Sequence, residues 1–521
     1  MQSTKRRAIN PLLTGSLICA LSGAAAPFAL ASPDDAVRED VPTDREIGEA
    51  IDQELRTDPS VMSFEVDVSC VSGIVTLAGR VNNVMAKDRA GEIAETLRGV
   101  RAVINRLEVE PKPRPSAEIE ADVEDALLFD SATDSYEIDP AVEGSVVTLR
   151  GEVSSFAEKL LAVRVAKGVR GVTAVEDELV VDYGESRSNA EIMAEIDRRM
   201  AWNVYLDDSL ITVDVKGKGE VVLTGHVGSA AEKRRARSLS YVAGVTKVDA
   251  SDLNVSEWRR DERFRKDKYV LRKDGELEDA VEDAFLFDPR VMSFEIDAEA
   301  ESGTVTLRGE VDNLKSRRAA ANVARHTVGV WAVKNLIKVD SENRPSDSRI
   351  ESRIEKALAR DPYVSSYEIR VSVDGGVATL RGEVDTVFEK TSADDIASKV
   401  AGVLEVNNRL KVERLMHLVY EPYVSYDLYP YTHTWYRFQH APAPMDDAAL
   451  QSAVRNELWW SPFVDEDEVE ITVQGGTVTL RGTVDTFAER RAAQENAFEA
   501  GAVIVANELV VEFGPKSLTG K

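Results

Sequence analysis

The residues best equipped for chemistry in this sequence are cations gathered in one place. Arg259, Arg260, Arg263, Arg265, Lys266, Lys268, Arg272 and Lys273 crowd into 258–273, against Asp261, Glu262 and Asp267. Eight positive side chains against three negative ones give +5, in a chain whose formal charge is -28. Trp258, Phe264, Tyr269 and Leu271 interleave the charges. Basic and apolar side chains in alternation suit an interface with anionic phospholipid, where each Lys or Arg near the surface is worth ~1 kcal/mol. Trp258, Phe264, Arg259, Arg260, Arg263, Arg265, Lys266 and Lys268 are therefore the candidate lipid-binding residues. The competing role is a solvated linker that pairs with acidic neighbours.

A second cluster is aromatic. Tyr420, Tyr423, Tyr426 and Tyr429 fall every third residue, with Pro422 and Pro430 among them, and Trp435, Tyr436 and Phe438 follow. A three-residue period with proline predicts an extended, polyproline-like run carrying its tyrosines on one side. Such a stripe, with Trp435, could bind a partner or a membrane interface; otherwise it is a long ordered loop. His417, His433 and His440 share this stretch, but their spacing matches no zinc pattern. No phosphate-binding loop, dinucleotide fingerprint, nucleophile elbow or zinc-protease helix is present. With no nucleophile–base set to name, the chain is expected to be no enzyme and to need no cofactor or metal.

The start of the chain has the form of an export signal. Lys5, Arg6 and Arg7 precede an apolar stretch from about Leu12 to Ala26, and Ala29-Leu30-Ala31 offers a small-x-small cleavage site. Removal of residues 1–31 would take three basic residues and no acidic one, moving the formal charge from -28 to -31. The stretch is shorter than the ~20 residues needed to span a bilayer. Ile18 stands before Cys19 where a lipoprotein needs a small residue. A periplasmic protein, peripheral to the outer membrane at most, is expected. Its 92 acidic against 64 basic side chains repel phosphate overall, which argues against a nucleic-acid coat. Cys70 remains as a lone thiol, in phase with Val66 and Val68 on an alternating strand, where a small buried hydrophobe is expected.

What positions these residues is a repeat. The string Val75-Thr76-Leu77-Ala78-Gly79 recurs around Gly151, Gly225, Gly309, Gly382 and Gly482. A second glycine follows 19 or 20 residues later: Gly99, Gly171, Gly244, Gly329, Gly402 and Gly501. Upstream of each string lies an apolar triplet at i, i+4, i+8, such as Ile47/Ile51/Leu55 or Ile350/Ile354/Leu358. That spacing places three apolar side chains on one helical face. Thr43, Ser116, Ser188, Asp274, Ser346 and Asp446 sit where N-caps belong.

An alternating strand comes next, closed by a turn at Ser72-Gly73 or Gly375-Gly376. The returning strand puts Val75, Leu77, Gly79 and Val81 on one face. Gly79 should therefore admit a close helix, and Gly99 should cap the second helix. A last strand carries Asn105, Asp177, Asn335, Asn408 or Asn507 in phase with its core, read as polar residues that satisfy nearby backbone. Arg150, Arg308, Arg381 and Arg481 precede the hairpin glycine on the opposite face, read as a solvated charge ladder, with headgroup phosphate binding as the sharper alternative.

The expected fold is α+β: a tandem array of six α-β-β-α-β units, each a three-stranded mixed sheet with two helices on one face. Generic domain sizes would give only about three to five units.

These residues make the repeat resemble the BON domain, the bacterial osmotically-inducible-protein and nodulation module. The resemblance covers 41–111, 114–184, 187–257, 273–341, 346–414 and 445–513, hereafter copies 1 to 6. A basic linker, 258–272, and a tyrosine-rich insertion, 415–444, interrupt the series. The resemblance implies a non-enzymatic periplasmic or envelope protein that binds phospholipid or the envelope surface, with a role in envelope integrity or osmotic and other stress. Chaperoning of exported proteins is the alternative it implies, and it carries no catalytic residues over.

Overall fold

The computed structural model describes residues 41–511 apart from 59, 62–64, 131, 134–137, 185–186, 257–267, 269–271, 292–293, 341–343, 365–367, 413–444 and 503. In copy 1 the triplet Ile47/Ile51/Leu55 forms the buried side of a helix, Asp44–Thr57. Strands Val66–Val71 and Ile74–Val81 follow, then helix Val84–Thr96. A third strand comes in two pieces, Ala102–Asn105 and Glu108–Val109.

The middle strand runs antiparallel to the first, with Val68 opposite Leu77, and parallel to the third, with Leu77 opposite Asn105. Val75, Leu77 and Val81 are buried, whereas Ile74 and Arg80 on the other face are exposed. The same order recurs in every copy, giving twelve helices and six mixed sheets among the described residues. The α+β array expected from the sequence is the fold.

The two glycines do different jobs from those their positions suggest. Gly79 has φ +107°, and a Cβ there would strike the carbonyl oxygen of Glu65, at the entry to the first strand. Gly225, Gly382 and Gly482 meet Leu210, Glu368 and Glu468 in the same way. The hairpin glycine thus lets two strands cross closely; it does not admit a helix.

The close helix approach occurs at the second glycine. A Cβ on Gly99 would lie 2.9 Å from Ile47 Cδ1, and one on Gly402 would lie 3.0 Å from Ile350 Cδ1. Gly99 is also no C-cap, since helix Val84–Thr96 is capped by Leu97. It makes a left-handed step, φ +82°, under the first residue of the apolar triplet.

The caps divide likewise. Thr43 and Ser188 form capping boxes with Glu46 and Glu191, and Asp446 accepts from Ala449 N. Ser346 caps without a side-chain bond, while Ser116 and Asp274 are already the first helical residues. That first helical position has its own task. Asp44 accepts from Ser72 N and Gly73 N, Asp347 from Gly375 N and Gly376 N, and Asp447 from Gly475 N and Gly476 N. Asp274 accepts from Ser302 N. A carboxylate at the helix start therefore fastens the hairpin turn to the helix, and these turn N–H groups hold Asp44, Asp347 and Asp447 below the usual carboxylate range.

Copies do not pack only with their sequence neighbours. Copy 1 meets copy 6, where Arg98 lies over the Trp459 ring at 4.4 Å and pairs with Glu466 at 3.7 Å. Copy 6 meets copy 3 through Phe463 and Tyr205, with ring centroids 5.8 Å apart. Copy 3 meets copy 4 through Val328 N donating to Trp202 O. Copy 4 meets copy 2 through Arg290 and Asp130, and copy 2 meets copy 5 through Lys356 and Asp125. Copy 5 returns to copy 1, where Tyr363 lies against Asn83 and Asp58. These contacts trace a closed circuit, 1–6–3–4–2–5–1, and further pairs cross it: Arg234 of copy 3 with Glu92 and Glu95 of copy 1, Lys167 of copy 2 with Asp88 of copy 1, and Lys315 of copy 4 with Asp395 of copy 5. Trp202 of copy 3 packs against the core of copy 4, and Trp460 of copy 6 packs against the core of copy 1. A ~70-residue unit is marginal alone, so this mutual burial is part of each copy's stability.

Gly382→Ala should destabilise the protein by about 1–3 kcal/mol in chemical denaturation, because its left-handed backbone and the Glu368 carbonyl both oppose a methyl group. Gly48→Ala, inside a helix with nothing within 4 Å of the new atom, should instead stabilise it by about 0.5–1 kcal/mol.

Candidate functional site: the junctions between copies

Several junctions are built by a short loop after the first helix. Three residues past the apolar triplet stands a polar residue that bends the chain: Asp58, Asp130, Asn203, Asp288, Asp361 or Ser461. Its side chain accepts from the N–H two residues ahead, that of Ser60, Ala132, Tyr205, Arg290, Tyr363 or Phe463. This local turn competes with helix continuation and ends the helix there. The residue two ahead is thereby held at a fixed position. Arg290, Tyr363, Phe463 and Tyr205 use it to enter another copy.

Arg290 makes the most demanding of these contacts. Its Nη1 and Nη2 donate to Asp130 Oδ1 and Oδ2 at 2.9 and 2.5 Å, and the guanidinium side chain is 1% exposed. Burial alone would raise the Asp130 carboxyl, but Arg290 brings it below its ordinary value. Lys315 of copy 4 pairs with Asp395 of copy 5 at 2.6 Å, and Lys399 pairs with the other oxygen at 2.9 Å. Arg318 pairs with Asp394 at 2.7 Å. Arg170 of copy 2 donates its N–H to Arg360 O and its guanidinium to Asp361 O and Val364 O. The junctions are therefore specific and charged, where wholly apolar seams could slide.

A cavity of about 230 Å³ opens where copies 1, 2, 4 and 5 meet. Arg290, Lys315, Arg360, Tyr363 and Lys399 are in its wall. No group of three or more His, Cys, Asp and Glu residues among the described residues could hold a metal ion. No helix among them is long and apolar enough to cross a membrane.

Of the candidate lipid-binding residues, only Lys268 lies within the described residues; Trp258, Arg259, Arg260, Arg263, Phe264, Arg265 and Lys266 lie outside them. Lys268 does not face outward. It is 8% exposed, and its Nζ donates to Met200 O at 2.9 Å, to Leu206 O, and to Asp208 Oδ1 at 2.9 Å. Burial lowers its pKa while Asp208 opposes that shift. Lys268 closes the C-terminal end of the first helix of copy 3 and is unavailable to a headgroup, which corrects its assignment. Tyr420, Tyr423, Tyr426, Tyr429 and Trp435 fall outside the described residues, as do the three insertion histidines.

The recurring polar residues resolve cleanly. Asn105, Asn335, Asn408 and Asn507 each donate to a carbonyl of the second helix (Lys87, Arg317, Lys390 and Arg490). Each also accepts from the N–H two residues on. Asp177 cannot donate, and in copy 2 the Lys159 ammonium pairs with it and reaches Leu179 O. Three of the four hairpin arginines form cross-strand ion pairs: Arg150 with Glu178, Arg308 with Glu299, and Arg481 with Glu508. Arg381 donates to Ser372. Cys70 is half-buried and donates to Asp44, and burial first, then Asp44, pushes its thiol up to about 11. It is a poor nucleophile.

The loop residues lie outside the hydrophobic pattern that marks the repeat. Their signal is Asp58-Pro59-Ser60-Val61, Asp288-Pro289-Arg290-Val291 and Asp361-Pro362-Tyr363-Val364 in one register, with Ser461-Pro462-Phe463-Val464 varying it. Fixed first, second and fourth residues frame a third that changes in size and charge.

The family model described as "BON domain" matches residues 43–111, 115–183, 188–257, 273–341, 346–414 and 446–512. The chain belongs to the BON-domain family. Osmotically-inducible protein Y of Escherichia coli is 29% identical over 201 residues, 37% of this chain and 93% of that protein. Outer membrane lipoprotein DolP of Haemophilus influenzae is 29% identical over 138 residues, 26% of this chain and 71% of that protein. The C-terminal domain of CdsD, the structural protein of the type III secretion system of Chlamydia trachomatis, aligns with 44% of this chain and all of that domain, at 13% identity and a TM-score of 0.12. That score carries no structural argument. In this BON-domain protein, loop residues after the first helices make three contacts of that circuit, 6–3, 4–2 and 5–1.

Arg290→Met leaves Asp130 buried without its partner and should cost about 3–5 kcal/mol in denaturant unfolding. Adding Asp130→Asn should recover much of that loss. Losses that simply add to within about 0.5 kcal/mol would show that the two side chains are not coupled.

Proposed function

We propose that this chain is a non-enzymatic protein of the bacterial envelope that binds anionic phospholipid at a membrane surface and serves envelope integrity under stress. Two relatives, one named for osmotic induction and one for the outer membrane, support the compartment. The N-terminal basic and apolar stretch supports export to the periplasm.

One observation carries the lipid reading. Residues 258–273 hold eight basic against three acidic side chains in a chain of formal charge -28, whereas the exposed arginines Arg150, Arg308 and Arg481 are paired within their own copies. Lys268 ties that segment to copy 3 from inside. The bound surface is thus met by one basic segment on an otherwise acidic body, which keeps the rest of the protein off the bilayer.

A periplasmic chaperone or scaffold for exported proteins is the second reading. Val71, Ile74 and Ile104 favour it, because all three are exposed on the open face of the copy 1 sheet.

Vesicle flotation separates these readings. The full chain should float with anionic vesicles at low salt and lose at least tenfold in retention when Arg259, Arg260, Arg263, Arg265 and Lys266 become Gln. Lys268 is kept, because its ammonium is bound to Met200 O, Leu206 O and Asp208 of copy 3. No flotation of the full chain at low salt would remove the lipid reading and leave the chaperone one.

A further inference from the structure

The cavity where copies 1, 2, 4 and 5 meet holds a concentration of positive charge inside an acidic protein. Arg164, Arg290, Lys315, Arg360 and Lys399 line it, against the carboxylates Asp130, Asp361 and Asp395. Asp130 is spent on Arg290, and Asp395 is shared by Lys315 and Lys399. Asp361 accepts from Tyr363 N and Val364 N, and its burial raises its carboxyl toward the neutral form. The wall also receives the C-terminal ends of helices Phe156–Lys167 and Asp347–Arg360, whose carbonyls would repel an anion. Arg170 already occupies Arg360 O, Asp361 O and Val364 O, which removes much of that opposition.

Arg360 feels the charges of Asp125, Asp122, Asp130 and Asp361, yet one of its donors is unanswered. Its Nη1 is buried and has no hydrogen-bond partner among the described residues. Burial lowers its pKa, and those four carboxylates only partly oppose the shift. At about 230 Å³ the cavity holds several waters or one small ion, and it is below the ~300–1,000 Å³ of sites for drug-sized ligands.

We propose that this cavity is a binding site for one small tetrahedral oxyanion of the phosphate class, held by Arg360 with Arg164 and Lys399. The guanidinium fork matches two phosphate oxygens, and the ammonium supplies a third contact. Because the wall is contributed by copies 1, 2, 4 and 5, bound anion favours the packed arrangement of these copies over any opened form. The proposal does not depend on the lipid reading.

Isothermal titration of the full chain with inorganic phosphate, at constant ionic strength set with chloride, tests this. One saturable site per chain is expected, with phosphate raising the melting temperature. Arg360→Gln should weaken binding at least tenfold, and Arg164→Gln should weaken it as a second, independent variant. The variant with five glutamines in 258–266 should bind phosphate as the parent does. A short-chain phosphatidic acid titrated in parallel distinguishes a lipid headgroup from the free ion: binding of either supports the site. Absence of saturable binding by the parent for both probes, or unchanged phosphate affinity in both folded arginine variants, overturns it.

Discussion

The turn that ends each first helix sets the architecture. A carboxylate, amide or hydroxyl accepts the N–H two residues ahead, the helix stops, and the residue carrying that N–H is aimed away from its own core. A small residue there, such as Ser60 or Ala132, asks for nothing. A large one must find a place in another copy, as Arg290, Tyr363 and Phe463 do. All three belong to copies 4 to 6, and each reaches into copies 1 to 3. The second half of the chain thus grips the first through one repeated backbone device carrying three different side chains.

The fold of a single copy was legible because its constraints are local and repeated six times. The i, i+4, i+8 triplet, the alternating strands and the two-residue turns each have one physical solution. The backbone duty of Asn105 and its equivalents was legible for the same reason. The misassigned details were those decided by close approach. Gly79 faces inward by strand parity, but what lies against it is the Glu65 carbonyl, and the helix lies against Gly99 instead. Parity names a face and not the atom that will occupy it. The junctions were hidden further still. Nothing in the sequence around Arg290 points to Asp130, and only the fold brings the two together.

The same limit separates one lysine from its neighbours. Lys268 stands among seven other cations and shares their composition, yet three oxygens of copy 3 enclose its ammonium. A charge cluster in sequence is a mixture of roles until geometry sorts it. Charge also divides by location across the protein. Acidic excess keeps the exterior solvated, while paired Arg, Lys and Asp side chains fix which copies adjoin. Such buried pairs contribute little net stability when compared with apolar packing, but a mismatched junction would strand a buried charge. That penalty selects one circuit among the many orders in which six similar modules could pack.

The closed circuit is tested most directly where the first and last copies meet. Arg98 and Glu466 are far apart in sequence and 3.7 Å apart in the structure. With Cys19 and Cys70 replaced, Arg98→Cys and Glu466→Cys in the full chain would be treated with a short bismaleimide. A closed circuit requires an intramolecular cross-link in the monomer, formed under native conditions and absent in denaturant. Two thiols that each accept a monofunctional maleimide yet never join under native conditions would contradict it, and the copies would then be a string.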